Sequence, residues 1–194
     1  MNLKKTLART IAGAAAAAAL ATAALLPSMA HAQAKEQYFG IPSYRVGPFA
    51  AGGTGFFGGI IDYLQYVNMK EGGVNGVQMA WAECETEYTA ARGVECYQRL
   101  LKNAKGQQMH IFEPLATPIA YGVLNRVDDD KVVLTQYGYG RSDAADGRVF
   151  PWVFSTMTSY WSQASAIMNW MAQKEGGLDK IKGKKIAHLH LDSA

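Results

Sequence analysis

Cysteine is the scarcest informative residue in this 194-residue sequence, with only Cys84 and Cys96 present. Two cysteines exclude a disulfide scaffold. Also missing are G-x-S-x-G, H-E-x-x-H and C-x-x-C, so the common hydrolase, zinc-protease and dithiol signatures are unavailable. His188-Leu189-His190 sets two imidazoles on one strand face without a third ligand, so no metal site is expected. Glu83 and Glu85 flank Cys84 at a strand end, are read as solvated, and nothing recruits them for acid-base work. No catalytic residues and no cofactor are expected.

An excess of positive charge is also missing, once the N-terminus is set aside. MNLKKTLART carries Lys4, Lys5 and Arg9, and an alanine-dominated, uncharged run follows from Ile11 to Leu26. Pro27 breaks the run, and Ala30-His31-Ala32 has the small-x-small order read by signal peptidase. Residues 1–32 are therefore expected to be a signal peptide; the run is weakly apolar and short for a membrane span of roughly 20 residues. The formal net charge of +3 belongs to this leader, because the remainder has equal numbers of acidic and basic residues. No nucleic-acid footprint is expected. An exported chain permits one disulfide. A helix starting near Thr86 or Thr89, however, puts Cys96 about 10 Å or more along its axis, past the roughly 7 Å Cα reach of a bridge. The two cysteines are expected apart unless the loop ECETEYT folds back.

What is present is an alternation of short β-type and longer helical segments, which implies a mostly parallel sheet with crossover helices. Residues 37–46 form an extended stretch broken by Pro42. Over 56–71 the spacing of Phe57, Ile60, Ile61, Leu64 and Val67 predicts a helix stopped by Gly72-Gly73. A strand from Val77 ends at Glu83, and the next helix buries Ala90, Val94, Tyr97 and Leu101. Strands follow at 109–112, 132–135 and 149–154. Thr117 reads as an N-cap with Pro118 at the first helical position. A helix at 160–174 turns Trp161, Ala164, Met168 and Met171 inward, and Lys185–Leu191 reads as a last strand. Because that strand has no following helix, the chain is expected to be a piece of a longer protein.

Gly53, Gly55 and Gly58 spell G-x-G-x-x-G ahead of a helix, and Glu83 supplies an acid at about the right distance. A dinucleotide site also needs a hydrophobic strand running straight into a tight turn. Here Pro42, Pro48 and a long loop from Gly47 to Gly55 precede the helix, so an exported NAD-type oxidoreductase is the weakest reading. The same glycines can instead form a ligand rim at a helix start. Other loops at the carboxyl ends of the strands are 84–88, 113–117 and 136–147, the last offering Tyr137, Tyr139, Arg141 and Ser142.

The ordered series from GPFAAGGTGFFGG through KEGGVNGVQMAW and the Thr-Pro helix start to GYGRSDAADGRVFPWVF resembles type I periplasmic binding proteins of the branched-chain amino acid (Leu/Ile/Val) group, over residues 37–194. The resemblance implies an α/β three-layer sandwich. It corresponds to the first lobe of a two-lobe protein at 33–177, then a connector and the first strand of a truncated second lobe at 178–194. It also implies a periplasmic solute-binding component of an ABC importer, without enzymatic activity, whose partners are a small-molecule ligand and an inner-membrane permease. A sensory receptor domain of the same fold is the alternative. Carried over, the rim comprises Gly52, Gly53 and Thr54, then Ala116 and Thr117, then Tyr137, Tyr139, Arg141 and Ser142. Pro114-Leu115-Ala116 stands where the amino-acid binders place serines, and Gly52 where they have an aromatic ring. The expected ligand therefore widens to an amino acid, an amide or an aromatic acid.

Overall fold

The computed structural model describes residues 36–190 apart from 138, 139, 141–143 and 145. The expected signal peptide, Tyr139, Arg141, Ser142 and the last residue of the expected terminal strand lie outside the described residues. Strand β1 (Glu36–Ser43) pairs in parallel with β2 (Gln78–Glu85), Glu36 opposite Gln78 through Ser43 opposite Glu85. Strands β3 (Ile111–Phe112), β4 (Val133–Gln136) and β5 (Val153–Ser155) form a second parallel ladder. The segment before β3 runs beside β1, where Gln107 Nε2 donates to the Glu36 carbonyl at 3.4 Å.

Pro42 does not break β1; it is fully buried within it, opposite Cys84. The Ser43 carbonyl accepts Thr86 N–H on the β2 side at 2.8 Å. Its neighbour Pro42 therefore faces the other edge, where its missing N–H interrupts no ladder among the described residues. Helix α1 (Ala50–Glu71) connects β1 to β2, and α2 (Ala90–Leu100) leads back across to β3. These two crossovers run in opposite directions, so their right-handedness puts α1 and α2 on opposite faces of the sheet. Helix α3 (Thr117–Asp130) continues outward and packs against α2.

The core lies between these layers. Phe57 from α1, Tyr97 from α2, Phe112 from β3, Ile119, Val123 and Val127 from α3 and Leu134 from β4 are all buried. Tyr97 and Phe112 meet edge to face, with ring centroids 5.0 Å apart. Each such side chain contributes roughly 1.5–3 kcal/mol of apolar burial. The inward stripe of α2 is Gly93, Cys96, Tyr97 and Leu100, displaced from the expected Ala90, Val94 and Leu101. The displacement has a covalent cause, a disulfide between Cys84 and Cys96 with Cα atoms 5.6 Å apart.

The cysteines are thus joined, against expectation, because the loop ECETEYT does fold back. Glu87 and Tyr88 both have positive φ, 51° and 60°. Thr86 anchors the turn through its N–H and hydroxyl to the Ser43 carbonyl, and Thr89 caps α2 by accepting Arg92 N–H. The helix then starts over the strand end rather than beyond it.

The glycine-rich stretch is the second correction. Gly52, Gly53 and Gly55 lie within the first turn and a half of α1, which begins at Ala50, and not in a loop; Gly58 and Gly59 follow in the helix, as expected. A strand running straight into a tight glycine turn is therefore absent at this position. Gly72 ends α1 with φ 69°, as Gly176 ends α4 (Tyr160–Glu175) with φ 91°, the left-handed C-cap that glycine adopts at least cost.

Helix α4 also departs from expectation. Trp161 is 71% exposed, Ala164 and Met168 are exposed, Met171 is partly so, and only Ala172 is buried. Apolar residues at helical spacing define a stripe, but spacing says nothing of what lies against it. After the short α5 (Leu178–Ile181), residues 185–190 form no strand. No described strand supplies a ladder there, and Leu189 is 97% exposed. His188 and His190 lie on this segment with ring centroids 5.5 Å apart.

Candidate functional site

The connection from β1 leaves toward β2, whereas the one from β3 leaves toward β4. The loops that follow β1 and β3 therefore diverge, and between such loops an open α/β sheet forms a crevice at its carboxyl edge. A crevice of about 610 Å³ lies there, lined by Tyr44, Pro48, Phe49, Ala51, Gly52, Phe56, Tyr88, Leu115, Thr117 and Tyr160.

Its wall is an aromatic lattice. Tyr44, the residue after β1, packs edge-on against both Phe57 (5.2 Å) and Tyr88 (5.0 Å), and Phe49 lies 4.2 Å from Tyr88. The Tyr44 hydroxyl donates to the Leu115 carbonyl at 3.3 Å, tying the exits of β1 and β3 together. Leu115 holds a positive φ of 45° and carries the chain into α3.

Expected rim residues fall into separate environments. Gly52 lines the crevice, but Gly53 is buried and packs on Tyr44, so close that a Cβ would lie 2.0 Å from the Tyr44 carbonyl oxygen. Thr54 is exposed, and its carbonyl accepts from Arg45 Nη1 at 3.4 Å. Ala116 is buried and is itself the N-cap of α3, without a side-chain cap. Thr117 is thus the first helical residue rather than the cap. Freed from capping, its hydroxyl meets Tyr160 Oη at 3.1 Å. Tyr137 is 40% exposed and angled toward Phe56, 6.4 Å away.

Glu83 is exposed, as expected, and Glu85 partly so, and both also brace the loop after β1. Glu83 pairs with the Arg45 guanidinium, and Glu85 accepts Arg45 N–H at 2.7 Å. The aromatic walls Tyr44, Phe49, Phe56, Tyr88 and Tyr160 escaped the sequence reading. Their common signal is position: each lies within a few residues of a strand exit or a helix start.

Electrostatically, two helix N-termini without side-chain caps, those of α1 at Phe49 and α3 at Ala116, open on this crevice. Each carries a partial positive charge, though at α1 the N–H groups of Ala50 and Gly52 are taken up by the Gly47 and Phe49 carbonyls. Beneath Leu115, Glu113 is 7% exposed and accepts Leu115 N–H at 2.7 Å and Thr135 Oγ1–H at 2.6 Å. Burial outweighs these two bonds and pushes its carboxyl up to about 7. Such a site can hold an anion against α3 and an apolar body against the rings.

A family model described as "Periplasmic binding protein" matches residues 36–194. The chain belongs to the periplasmic binding protein family. Its architecture is that of the type I periplasmic binding protein fold, and it covers the first lobe. This binding protein is 45% identical to a Pseudomonas fluorescens group protein whose crystal structure is described as that of an ABC transporter permease, with a TM-score of 0.67 over 77% of this chain and 36% of that one. It also matches a branched-chain amino acid transporter substrate-binding protein from Streptococcus pneumoniae in complex with isoleucine, at 17% identity, TM-score 0.61, 73% of this chain and 39% of that one. A solute-binding protein of an ABC transporter from Rhodopseudomonas palustris, in complex with 3,4-dihydroxybenzoic acid, matches at 18% identity, TM-score 0.52, 72% and 37%. The chain thus spans little more than a third of the length of these structures. No curated protein matches.

Proposed function

We propose that this chain is the ligand-binding first lobe of a periplasmic receptor that delivers a small carboxylate with an apolar body, an amino acid or an aromatic acid, to an ABC permease in the inner membrane. The leader at 1–32 would export it. The observation that carries the reading is the crevice of about 610 Å³ walled by Tyr44, Phe49, Phe56, Tyr88 and Tyr160 beside the uncapped start of α3. Five rings favour a flat or branched apolar group, and the helix start with the Thr117 hydroxyl favours a carboxylate. The isoleucine and 3,4-dihydroxybenzoic acid held by the Streptococcus and Rhodopseudomonas proteins share that chemistry.

In this reading Gly52, Ala116, Thr117 and Tyr137 form the rim, with Tyr139, Arg141 and Ser142 completing it. A ligand that binds only the folded chain raises its melting temperature. A thermal-shift screen of amino acids, amides and aromatic acids is expected to single out one carboxylate class. Thr117→Val should remove most of that shift, since losing one hydrogen bond to a charged group costs roughly 1.5–3 kcal/mol. An undiminished shift in Thr117→Val would refute this rim.

A further inference from the structure

The floor of the crevice contains polar groups that ligand capture alone does not explain. A cavity of about 10 Å³, room for a single water-sized group, lies under Leu115, between Glu113, Thr135 and Gln136. It shares Leu115 and Thr117 with the crevice above. Gln136 is only 5% exposed, and neither its amide oxygen nor its amide nitrogen has a hydrogen-bond partner. Buried amides are ordinarily satisfied, so this one lacks a counterpart.

Glu113 supplies the missing chemistry. An ionised carboxylate can only accept, and it already accepts from Leu115 N–H and Thr135 Oγ1–H. A neutral carboxyl also donates, and Gln136 lines the same cavity. Among the described residues no lysine, arginine, histidine or aspartate lines that cavity. Among the described residues the other titratable groups nearby are the phenol of Tyr137, on the same cavity, and, beyond Leu115, that of Tyr44 at the exit of β1. The walls from α3 contribute only Ala116, Thr117 and Ala120. No described cation therefore offsets a second negative charge at this place.

We propose that the Glu113–Gln136 pair is a proton site, and that the crevice takes up its carboxylate ligand together with one proton on Glu113. This rests on the reading of the crevice as a carboxylate site. An anion seated at Thr117 would lie one wall away from the buried Glu113 carboxyl, and two like charges there disfavour each other. The ligand thus selects neutral Glu113, and by linkage neutral Glu113 favours the ligand.

The burial-raised value of about 7 makes the effect measurable near neutrality. Above that value Glu113 must be protonated on binding, so affinity falls by about tenfold from pH 6 to pH 8, with about 0.8 proton taken up per ligand near pH 7.5. The experiment is titration calorimetry of the full chain with isoleucine, benzoate and 3,4-dihydroxybenzoate, in phosphate and in Tris. For whichever probe binds, the apparent enthalpy should differ between the buffers by the ionisation heat of that proton, and Glu113→Gln should abolish both the buffer difference and the pH slope. Binding with equal heats in the two buffers, or proton release, overturns the proton site and leaves the carboxylate reading standing. Binding of none of the three overturns both. The buffer comparison on the unaltered chain decides the matter even if Glu113→Gln fails to fold.

Discussion

Adjacent glycines in α1 should respond oppositely to the same substitution. Gly52 lies in helical backbone with no heavy atom within 4 Å of the place a Cβ would occupy. Gly52→Ala therefore removes backbone entropy from the unfolded chain at no steric cost and should stabilise by roughly 0.5–1 kcal/mol. At Gly53 the added carbon would lie 2.0 Å from the Tyr44 carbonyl oxygen and 2.3 Å from its ring. The obstruction is main chain and cannot rotate aside, so overpacking costs roughly 1–3 kcal/mol, more than the helical gain. The helical gain is common to both, so the two variants should differ by the overpacking cost, roughly 1–3 kcal/mol. Urea unfolding followed by tryptophan fluorescence measures it directly, since a change in midpoint at constant slope is a change in stability. Gly55→Ala, equally open, should behave like Gly52→Ala. Were all three to destabilise alike, the stretch would not be the helix start described above.

Further consequences can be checked independently. Reducing Cys84–Cys96, or replacing both by serine, frees a loop spanned by a sequence separation of 12 and should lower stability by about 3 kcal/mol in the chain-entropy account, read as a lower urea midpoint with and without reductant. Glu113, raised from 4.5 to about 7, binds protons more tightly in the folded chain. Its contribution makes the unliganded protein lose stability as pH rises from about 4.5 through 7, by about 3 kcal/mol at most. Glu113→Gln should flatten that part of a stability-against-pH curve, and an unchanged slope would show that Glu113 titrates normally. Tyr97→Phe removes a 2.9 Å bond to Asp130 and should cost about 1 kcal/mol by the same unfolding assay.

The sequence disclosed what depends on local chemistry. The stops at Gly72 and Gly176 and the parallel alternation follow from residue types at fixed spacing, whereas the cap expected at Thr117 falls one residue earlier, at Ala116. Features set by distant contacts stayed hidden. Pro42 sits in a strand because its missing N–H faces an unladdered edge, and Cys96 turns inward because Thr86 folds the preceding loop back onto Ser43. Gly52, Gly53 and Gly55 looked like a loop, yet tertiary support from Phe57 and Val67 holds them helical. Gly52 and Thr117 could be placed near one crevice because the connections after β1 and β3 part at the same carboxyl edge of the sheet. Tyr44, Phe49, Tyr88 and Tyr160 could not, since ring orientation depends on neighbours remote in the chain.

The Cys84–Cys96 bridge encloses Tyr88, one of the rings lining the crevice. A wall tethered at both ends loses its freedom when the chain oxidises, long before any guest arrives. Less disorder then remains to be surrendered at capture, so the same contacts yield tighter binding. If the crevice binds as proposed, its affinity would consequently depend on thiol oxidation at a bond that does not itself line it.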